Sequence, residues 1–270
     1  MKRQRRAAAA AVLIAASTML SATACDSHDD TPRLRVDVVA TRPHDHAAFT
    51  EGLDIDGSVL YESTGMEGES GVRARDLATG APIAEAKLAD TYFGEGIARA
   101  GDTLWQLTWK NETAFARDPR TLAERRRVHY DGEGWGLCSQ GDRLVMSDGS
   151  DTLTFRDPHT FAVTGTMRLT SHHDARLNEL DCAADGSVYA NVWPTDHILR
   201  IDPGSGTVLG DIDAGGLLRP TERTGADVLN GIAQLPGTDH FLITGKYWPT
   251  MFEVRFVPVA ASDSAGSSTR

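Results

Sequence analysis

The chain repeats itself, and this constrains its fold more than any other feature. Five segments open alike: Phe49-Thr-Glu-Gly-Leu53, Phe93-Gly-Glu-Gly-Ile97, Glu133-Gly-Trp-Gly-Leu137, Leu177-Asn-Glu-Leu180 and Leu229-Asn-Gly-Ile232. Their anchors, Gly52, Gly96, Gly136, Glu179 and Gly231, recur at about 40–45 residues, with a longer last interval. A β-rich run follows each opening: Val59–Ser63, Leu104–Thr108, Leu144–Ser147, Val188–Val192 and Phe241–Thr244. Turn pairs such as Asp56-Gly57, Gly101-Asp102 and Asp185-Gly186 separate the two runs, which is a hairpin signal. A second turn recurs downstream at Asp76–Gly80, Asp118–Thr121, Asp157–Thr160 and Asp202–Gly206. There Asp can accept hydrogen bonds from its own downstream backbone, and Pro presets φ at the first corner of three of these turns. Each unit therefore holds four short strands, and four-stranded units of this period are β-propeller blades.

The count of units predicts an all-β, five-bladed propeller with four-stranded blades over residues 34–258. The fifth unit stops after Met251–Phe256 without a fourth strand. The N-terminal run Leu34–Val39 belongs to no repeat, so it is expected to close the last blade and remove an open edge. The long connection from about Gly210 to Asp227 is expected to form a flap.

The segment before the repeats reads as a leader. Lys2, Arg3, Arg5 and Arg6 precede an apolar run too short to span a bilayer comfortably, so residues 1–24 are expected to be a signal peptide. Ser21-Ala-Thr-Ala-Cys25 resembles a lipobox, with Ala22 where Leu is usual. Lipidation of Cys25, which would make residues 25–33 a lipid-anchored tether, stands beside ordinary cleavage at Ala-x-Ala. Both readings place the protein outside the cytoplasm, either membrane-anchored or secreted. Residues 259–270 are Ser/Ala-rich and expected to be disordered. Cys138 and Cys182 then face an oxidising compartment, where they can pair or remain buried thiols.

Charge excludes one class of function. Lys and Arg total 27 against 38 Asp and Glu, a formal net charge of −11, which does not suit nucleic acid bound through a basic face. No Gly-rich phosphate loop opens a helix, and no Gly-x-Ser-x-Gly elbow is present. His44-Asp-His46 and His172-His173-Asp174 are expected to be exposed loop residues rather than metal ligands.

The repeat also concentrates chemistry. The residue before each anchor is Glu51, Glu95, Trp135, Asn178 or Asn230, and the fourth anchor is itself Glu179. Buried strands normally start with Val or Ile, so carboxylates, amides and an indole there are costly unless solvated or functional. The second strands end in Trp109-Lys110, Asp148, Asn191-Val-Trp193 and Lys246-Tyr-Trp248. Aromatic walls around a few polar groups are the usual form of a small-ligand site and raise a carboxyl pKa by desolvation.

Several stretches resemble the plant-type glutaminyl cyclases, the glutaminyl-peptide cyclotransferase family. They are Phe-Thr-x-Gly-Leu (49–53), Phe-Gly-Glu-Gly (93–96), Gln106–Lys110, Glu133–Gly136, Met146–Ser150, Leu177–Leu180, Ala190–Trp193, Val228–Ala233 and Thr244–Pro249. The resemblance runs in order through every repeat. It implies a five-bladed propeller that converts N-terminal glutaminyl residues of peptides to pyroglutamyl and releases ammonia, without zinc or another cofactor. It carries the family's catalytic acid onto Glu95, its tryptophans onto Trp109, Trp135 and Trp193, its amide onto Asn178 and its lysine onto Lys246. Phe49 and Phe93 become pocket aromatics. Glu51 stands where the family commonly has Gln. We expect catalysis from Glu95, Asn178 and Lys246. Substrate contacts are expected from Phe49, Glu51, Phe93, Trp109, Trp135, Glu179, Trp193, Asn230 and Trp248. The partner is a glutaminyl peptide or protein, the chain is expected to be a monomer, and membrane contact is expected only through Cys25. The competing classes are a metal-dependent propeller lactonase or hydrolase and a non-enzymatic exported peptide-binding propeller.

Overall fold

Glycine and Asp-led turns cut the chain into short extended runs, buried along most of their length in strands such as Phe241–Gly245 and alternating in exposure in strands such as Val163–Arg168. The computed structural model describes residues 30–259; the leader, Cys25 and the tail from residue 260 lie outside them. Strand β1 spans Arg33–Pro43. Strands β2 to β5 are Thr50–Asp56, Val59–Thr64, Gly71–Asp76 and Pro82–Lys87, and β6 to β9 are Gly94–Ala100, Thr103–Thr108, Thr113–Arg117 and Glu124–His129. Strands β10 to β13 are Leu137–Gln140, Arg143–Ser147, Thr152–Arg156 and Val163–Arg168, and β14 to β17 are Leu177–Cys182, Val188–Val192, His197–Ile201 and Val208–Asp213. Strands β18 to β20 are Leu229–Gln234, Phe241–Gly245 and Thr250–Pro258. One 3-10 turn, Pro220–Glu222, is the sole helical element among the described residues.

The fold is all-β and propeller-like. Three sheets are antiparallel four-strand meanders, β2–β5, β6–β9 and β10–β13. The remaining strands form one eight-stranded sheet in the order β14-β15-β16-β17-β1-β20-β19-β18. Strand β1 runs antiparallel to β20, from Leu34 opposite Pro258 to Pro43 opposite Thr250. It is longer than the run expected from sequence. Its first residues also pair in parallel with β17, Arg33 opposite Asp211 to Arg35 opposite Asp213. The N-terminal strand thus covers the edges of both neighbours, and unpaired edges are what a sheet protein must avoid.

The Asp-led turns form as their residues dictate. Asp76 Oδ1 accepts from Thr79 N at 2.8 Å, Asp118 from Thr121 N at 3.0 Å, Asp157 from Thr160 N at 2.7 Å and Asp202 from Gly204 N at 2.9 Å. Each turn delivers a fourth strand to the outside of its meander.

The first strands of the units meet in a cycle: β2 touches β6, β6 touches β10, β10 touches β14, β14 touches β18, and β18 returns to β2. The repeat glycines make this possible. A Cβ on Gly96 would lie 2.5 Å from Leu137 N, and one on Gly136 would lie 2.1 Å from Asn178 O. No side chain fits there without moving backbone. Apolar clusters fill the wedges between units; one joins Trp105, Leu107 and Ala114 to Leu137, Leu144 and Met146. Cys138 on β10 and Cys182 on β14 form a disulfide with Cα atoms 5.4 Å apart, so two first strands are also joined covalently.

Two expectations are corrected. Residues Val208–Asp213 belong to β17, and the segment after them is no free flap, because Ala214 and Leu218 are buried in the core cluster beside Trp248 and Phe252. His44 is not a surface residue. Its side chain is only 5% exposed, and its Nε2 lies 2.9 Å from Glu62 Oε1 and its Nδ1 2.7 Å from Trp248 O. The chain returns past this point to pair with Pro249, which draws the ring inward. His173 does lie on the surface and meets Asp151 at 2.9 Å.

Candidate functional site

The first strands are irregular where their polar residues sit. The β2–β3 register slips between Thr50 and Gly52, β6–β7 between Gly94 and Ile97, β14–β15 between Leu177 and Leu180, and β18–β19 between Leu229 and Ile232. These slips fall on Glu51, Glu95, Asn178, Glu179 and Asn230. A bulge leaves a residue out of the ladder and re-aims its side chain. In four of the five units the slip turns polar residues away from their own sheet; β10 pairs with β11 without one.

Several of these residues converge on a cavity of about 380 Å³, lined by Phe49, Glu51, Phe93, Glu95, Trp109, Trp135, Arg176, Asn178, Trp193 and Lys246. Aromatic rings make its wall. Phe49 and Phe93 meet edge to face at 5.9 Å, Phe93 and Trp109 at 5.6 Å, and Trp135 and Trp193 edge to face at 6.1 Å. A second cavity, of about 500 Å³ beside Arg42, His44 and Glu62, is larger but has no aromatic wall. Its His44–Glu62 pair is internally satisfied, so we place the functional site in the smaller cavity.

The polar groups in the cavity are held in one network. Lys246 Nζ lies 2.8 Å from Glu51 Oε1 and 4.5 Å above the Phe49 ring. Asn230 Nδ2 donates to Glu51 Oε2 at 2.9 Å and to Thr50 O at 3.0 Å. Glu51 and Glu95 are 2% and 5% exposed, and the charge of Glu51 acts on Glu95. Burial pushes Glu51 above the usual carboxylate range, against the opposing pull of the Lys246 ammonium. Burial pushes Glu95 well above that range, and the negative charge of Glu51 pushes it further. Both influences favour keeping a proton on Glu95, while Glu51 faces the Lys246 ammonium. Glu95 Oε2 and Asn178 Oδ1 are buried without a hydrogen-bond partner among the described residues. Such orphans are rare in native interiors and call for a ligand or water.

Two lining or supporting residues were not among those expected. Glu133 Oε2 accepts from Trp109 Nε1 at 2.8 Å and from Trp135 Nε1 at 3.0 Å, fixing both indoles with one carboxylate. Those bonds and Lys110 hold its pKa below the usual value although burial alone would raise it. Glu133 lies two residues before Trp135 in the repeat opening, which was the available signal. Arg176 lies over Trp193 and Trp135, with Cζ 4.2 and 5.1 Å from the ring centroids. It lies three residues before its anchor Glu179, where Phe49, Phe93 and Glu133 stand before theirs, so the repeat marked the place but the change of residue type hid it.

Three expected contacts lie elsewhere. Glu179 is fully buried, and its oxygens accept from Leu53 N at 3.0 Å and Ile232 N at 3.2 Å, so one side chain ties three first strands together. Trp248 does not line the cavity; its Nε1 donates to Asp227 O at 2.8 Å and its ring packs against Phe252. Asn230 reaches the cavity only through Glu51. For Glu179 and Trp248 a neighbouring backbone satisfies the polar group before a ligand can, whereas Asn230 Oδ1 stays buried without a partner among the described residues. Among the described residues no three His, Cys, Asp or Glu side chains are grouped to hold a metal ion.

Comparison with known proteins bears on the whole chain. Residues 9–256 match the family model described as glutamine cyclotransferase. The chain is 41% identical over 234 residues to a glutaminyl-peptide cyclotransferase of Arabidopsis thaliana, covering 84% of this chain and 72% of that protein. The crystal structure of Myxococcus xanthus glutaminyl cyclase superposes with a TM-score of 0.74 at 36% identity, covering 86% of this chain and 100% of the other. A family model over most of the chain and a relative at 41% identity agree: the chain belongs to the glutamine cyclotransferase family.

Proposed function

We propose that the chain is a glutaminyl-peptide cyclotransferase acting on N-terminal glutaminyl residues, and that Glu95 is its proton carrier. The observation that carries the mechanism is the buried Oε2 of Glu95, unpartnered in the wall of an aromatic cavity. The substrate's α-nitrogen attacks its own γ-carboxamide carbon, so a carbon–nitrogen bond forms and closes a five-membered lactam. The bond to the amide nitrogen then breaks and ammonia leaves. Cyclisation is intramolecular, so holding the side chain folded between the faces of Trp109, Trp135 and Trp193 supplies much of the acceleration.

Protonation then orders the steps. Glu95 rests as the acid, because burial and the Glu51 charge oppose its ionisation. It gives its proton to the departing nitrogen. The proton lost by the attacking amine returns to the same carboxyl, so the pair ends as it began. Lys246 keeps ammonium hydrogens beyond the one directed at Glu51 and can donate to the γ-oxygen as negative charge develops there. Asn178 Oδ1 suits an N–H of the substrate amide.

The test is ammonia release from a glutaminyl dipeptide amide, with and without chelator. We expect release in both. No release would favour a binding scaffold, and loss with chelator would favour a metal-dependent hydrolase.

We further read the twenty strands as five blades, with β18, β19, β20 and β1 forming the last. The cycle of first strands and the double pairing of β1 support this reading. Removing residues 31–40 should then lower the melting temperature sharply; a parent-like melt would sink the closure. The basic, apolar leader and Cys25 support export with a lipid anchor, which a Cys25→Ser variant released from membranes would test.

A further inference from the structure

The cavity has three cations in or beside it, and only one lacks an acid. Lys246 is paired with Glu51 at 2.8 Å, and Lys110 lies 3.6 Å from Glu133. Among the described residues the Arg176 guanidinium has no hydrogen bond and no ion pair. It lies over the faces of Trp193 and Trp135. The residue is exposed, yet it belongs to the lining of the same cavity. Its backbone is fixed, since Arg176 O accepts from Trp193 N at 2.9 Å.

This arrangement is a recognition element looking for an anion. A guanidinium presents a planar fork of donors that matches a carboxylate. Stacking on an indole fixes that plane beforehand, so less side-chain freedom is lost when the anion arrives. Lactam formation uses only the first residue of the substrate. The rest of the peptide must leave the cavity past its exposed rim, where Arg176 stands. The overall charge of −11 repels acidic peptides at long range, so a local cation at the rim is the place where a carboxylate would be accepted.

We propose that Arg176 is a specificity residue that binds a carboxylate carried by the substrate just after its N-terminal glutamine. This rests on the cyclotransferase reading and adds a substrate class to it. The carboxylate has two sources: an acidic side chain at the second position, or the terminal carboxylate of a dipeptide.

The experiment compares KM for Gln-Glu amide, Gln-Ala free acid and Gln-Lys amide, each taken as a ratio to Gln-Ala amide, for the parent, Arg176→Gln and Arg176→Lys. In the parent a carboxylate-bearing substrate should show a KM about 2–5-fold lower than the reference, the size of an exposed charged pair, and Gln-Lys amide should show no such gain. A preference confined to Gln-Glu amide identifies the side chain as the ligand; one confined to Gln-Ala acid identifies the terminus. Arg176→Gln should erase the preference, Arg176→Lys should keep part of it, and added salt should weaken it. Equal ratios in the parent and Arg176→Gln overturn the proposal. So does a KM rise of the same factor for every peptide, which would make Arg176 a cover for the tryptophans only. If the parent releases ammonia from none of the peptides, the cyclotransferase reading falls first. Calorimetric Kd ratios of Gln-Glu amide to Gln-Ala amide then decide the role of Arg176 without catalysis, and equal ratios in parent and variant again overturn it.

Discussion

Glu95 and Glu179 sit at nearly equivalent places in the repeat, both buried and both on bulged first strands, and the structure gives them opposite surroundings. Glu179 spends both oxygens on the backbone N–H groups of Leu53 and Ile232. Glu95 keeps Oε2 unpartnered beside an aromatic cavity. Burial raises the pKa of both well above the usual range. A perturbed pKa therefore does not separate the proposed proton carrier from a structural acid here. What separates them is whether the protein itself has already satisfied the carboxyl. At Glu179 the axis is closed by the side chain; at Glu95 a place is left for something else.

The comparison breaks or sharpens under substitution. The largest effect should come from Glu95→Gln, which keeps shape and removes the proton. Turnover should fall about 10²–10⁴-fold with little change in KM, while urea unfolding stays near the parent. A variant with parent-like kcat would strip Glu95 of its role.

Next in size is the covalent link between first strands. Cys138 and Cys182 close a loop of 44 residues, and replacing both by Ser should cost about 4 kcal/mol in the chain-entropy model. Because the bridge does not line the cavity, kcat should change far less than stability. Chemical denaturation alongside steady-state rates checks both.

Glu179→Gln should cost about 1–3 kcal/mol, because the amide NH₂ would face one of the two backbone N–H groups that the carboxyl now accepts. The loss should appear in the denaturant midpoint. Unchanged stability together with a large kcat loss would reverse the assignment of these two acids.

The smallest effect is a displacement of a pH limb. Glu95 is raised, so it is protonated below its folded pKa, and its acid function is lost as pH rises through that value. Glu51→Gln removes the neighbouring negative charge and leaves Lys246 without its counterion. Both changes favour ionised Glu95, so the alkaline limb of kcat should move to lower pH. Turnover on the acidic side should change little. A limb that stays in place would show that Glu51 does not tune Glu95.

The contrast also shows what could be read beforehand. The period of the openings, the Asp-led turns and the missing fourth strand of the last unit are local chemistry written in order along the chain. They placed the strands, the meanders and the pairing of the N-terminal strand with the end of the chain. Of the cavity residues, Glu51, Glu95, Trp135 and Asn178 were singled out by their place before the anchors, Trp109, Trp193 and Lys246 by their place at the ends of second strands, and Phe49 and Phe93 by the family resemblance alone. Arg176 was missed because, at the place three residues before the anchor held by Phe49, Phe93 and Glu133 in other units, the residue type changes. Glu179, Asn230 and Trp248 were grouped with the ligand contacts because sequence position does not say which neighbour reaches a polar group first.

The amino-acid sequence by itself determined the repeat unit, the polar or indole residue before each anchor and the glycines that let the first strands approach. These depend on steric demands within a few residues. Only the tertiary structure decided which buried carboxyl is satisfied and which is left open, that Cys138 meets Cys182, that Glu133 holds two indoles and that Arg176 stands unpaired at the rim. Each of these depends on atoms from different units arriving within hydrogen-bond or van der Waals distance. At that scale a shift of an ångström changes the partner while the pattern along the chain stays the same.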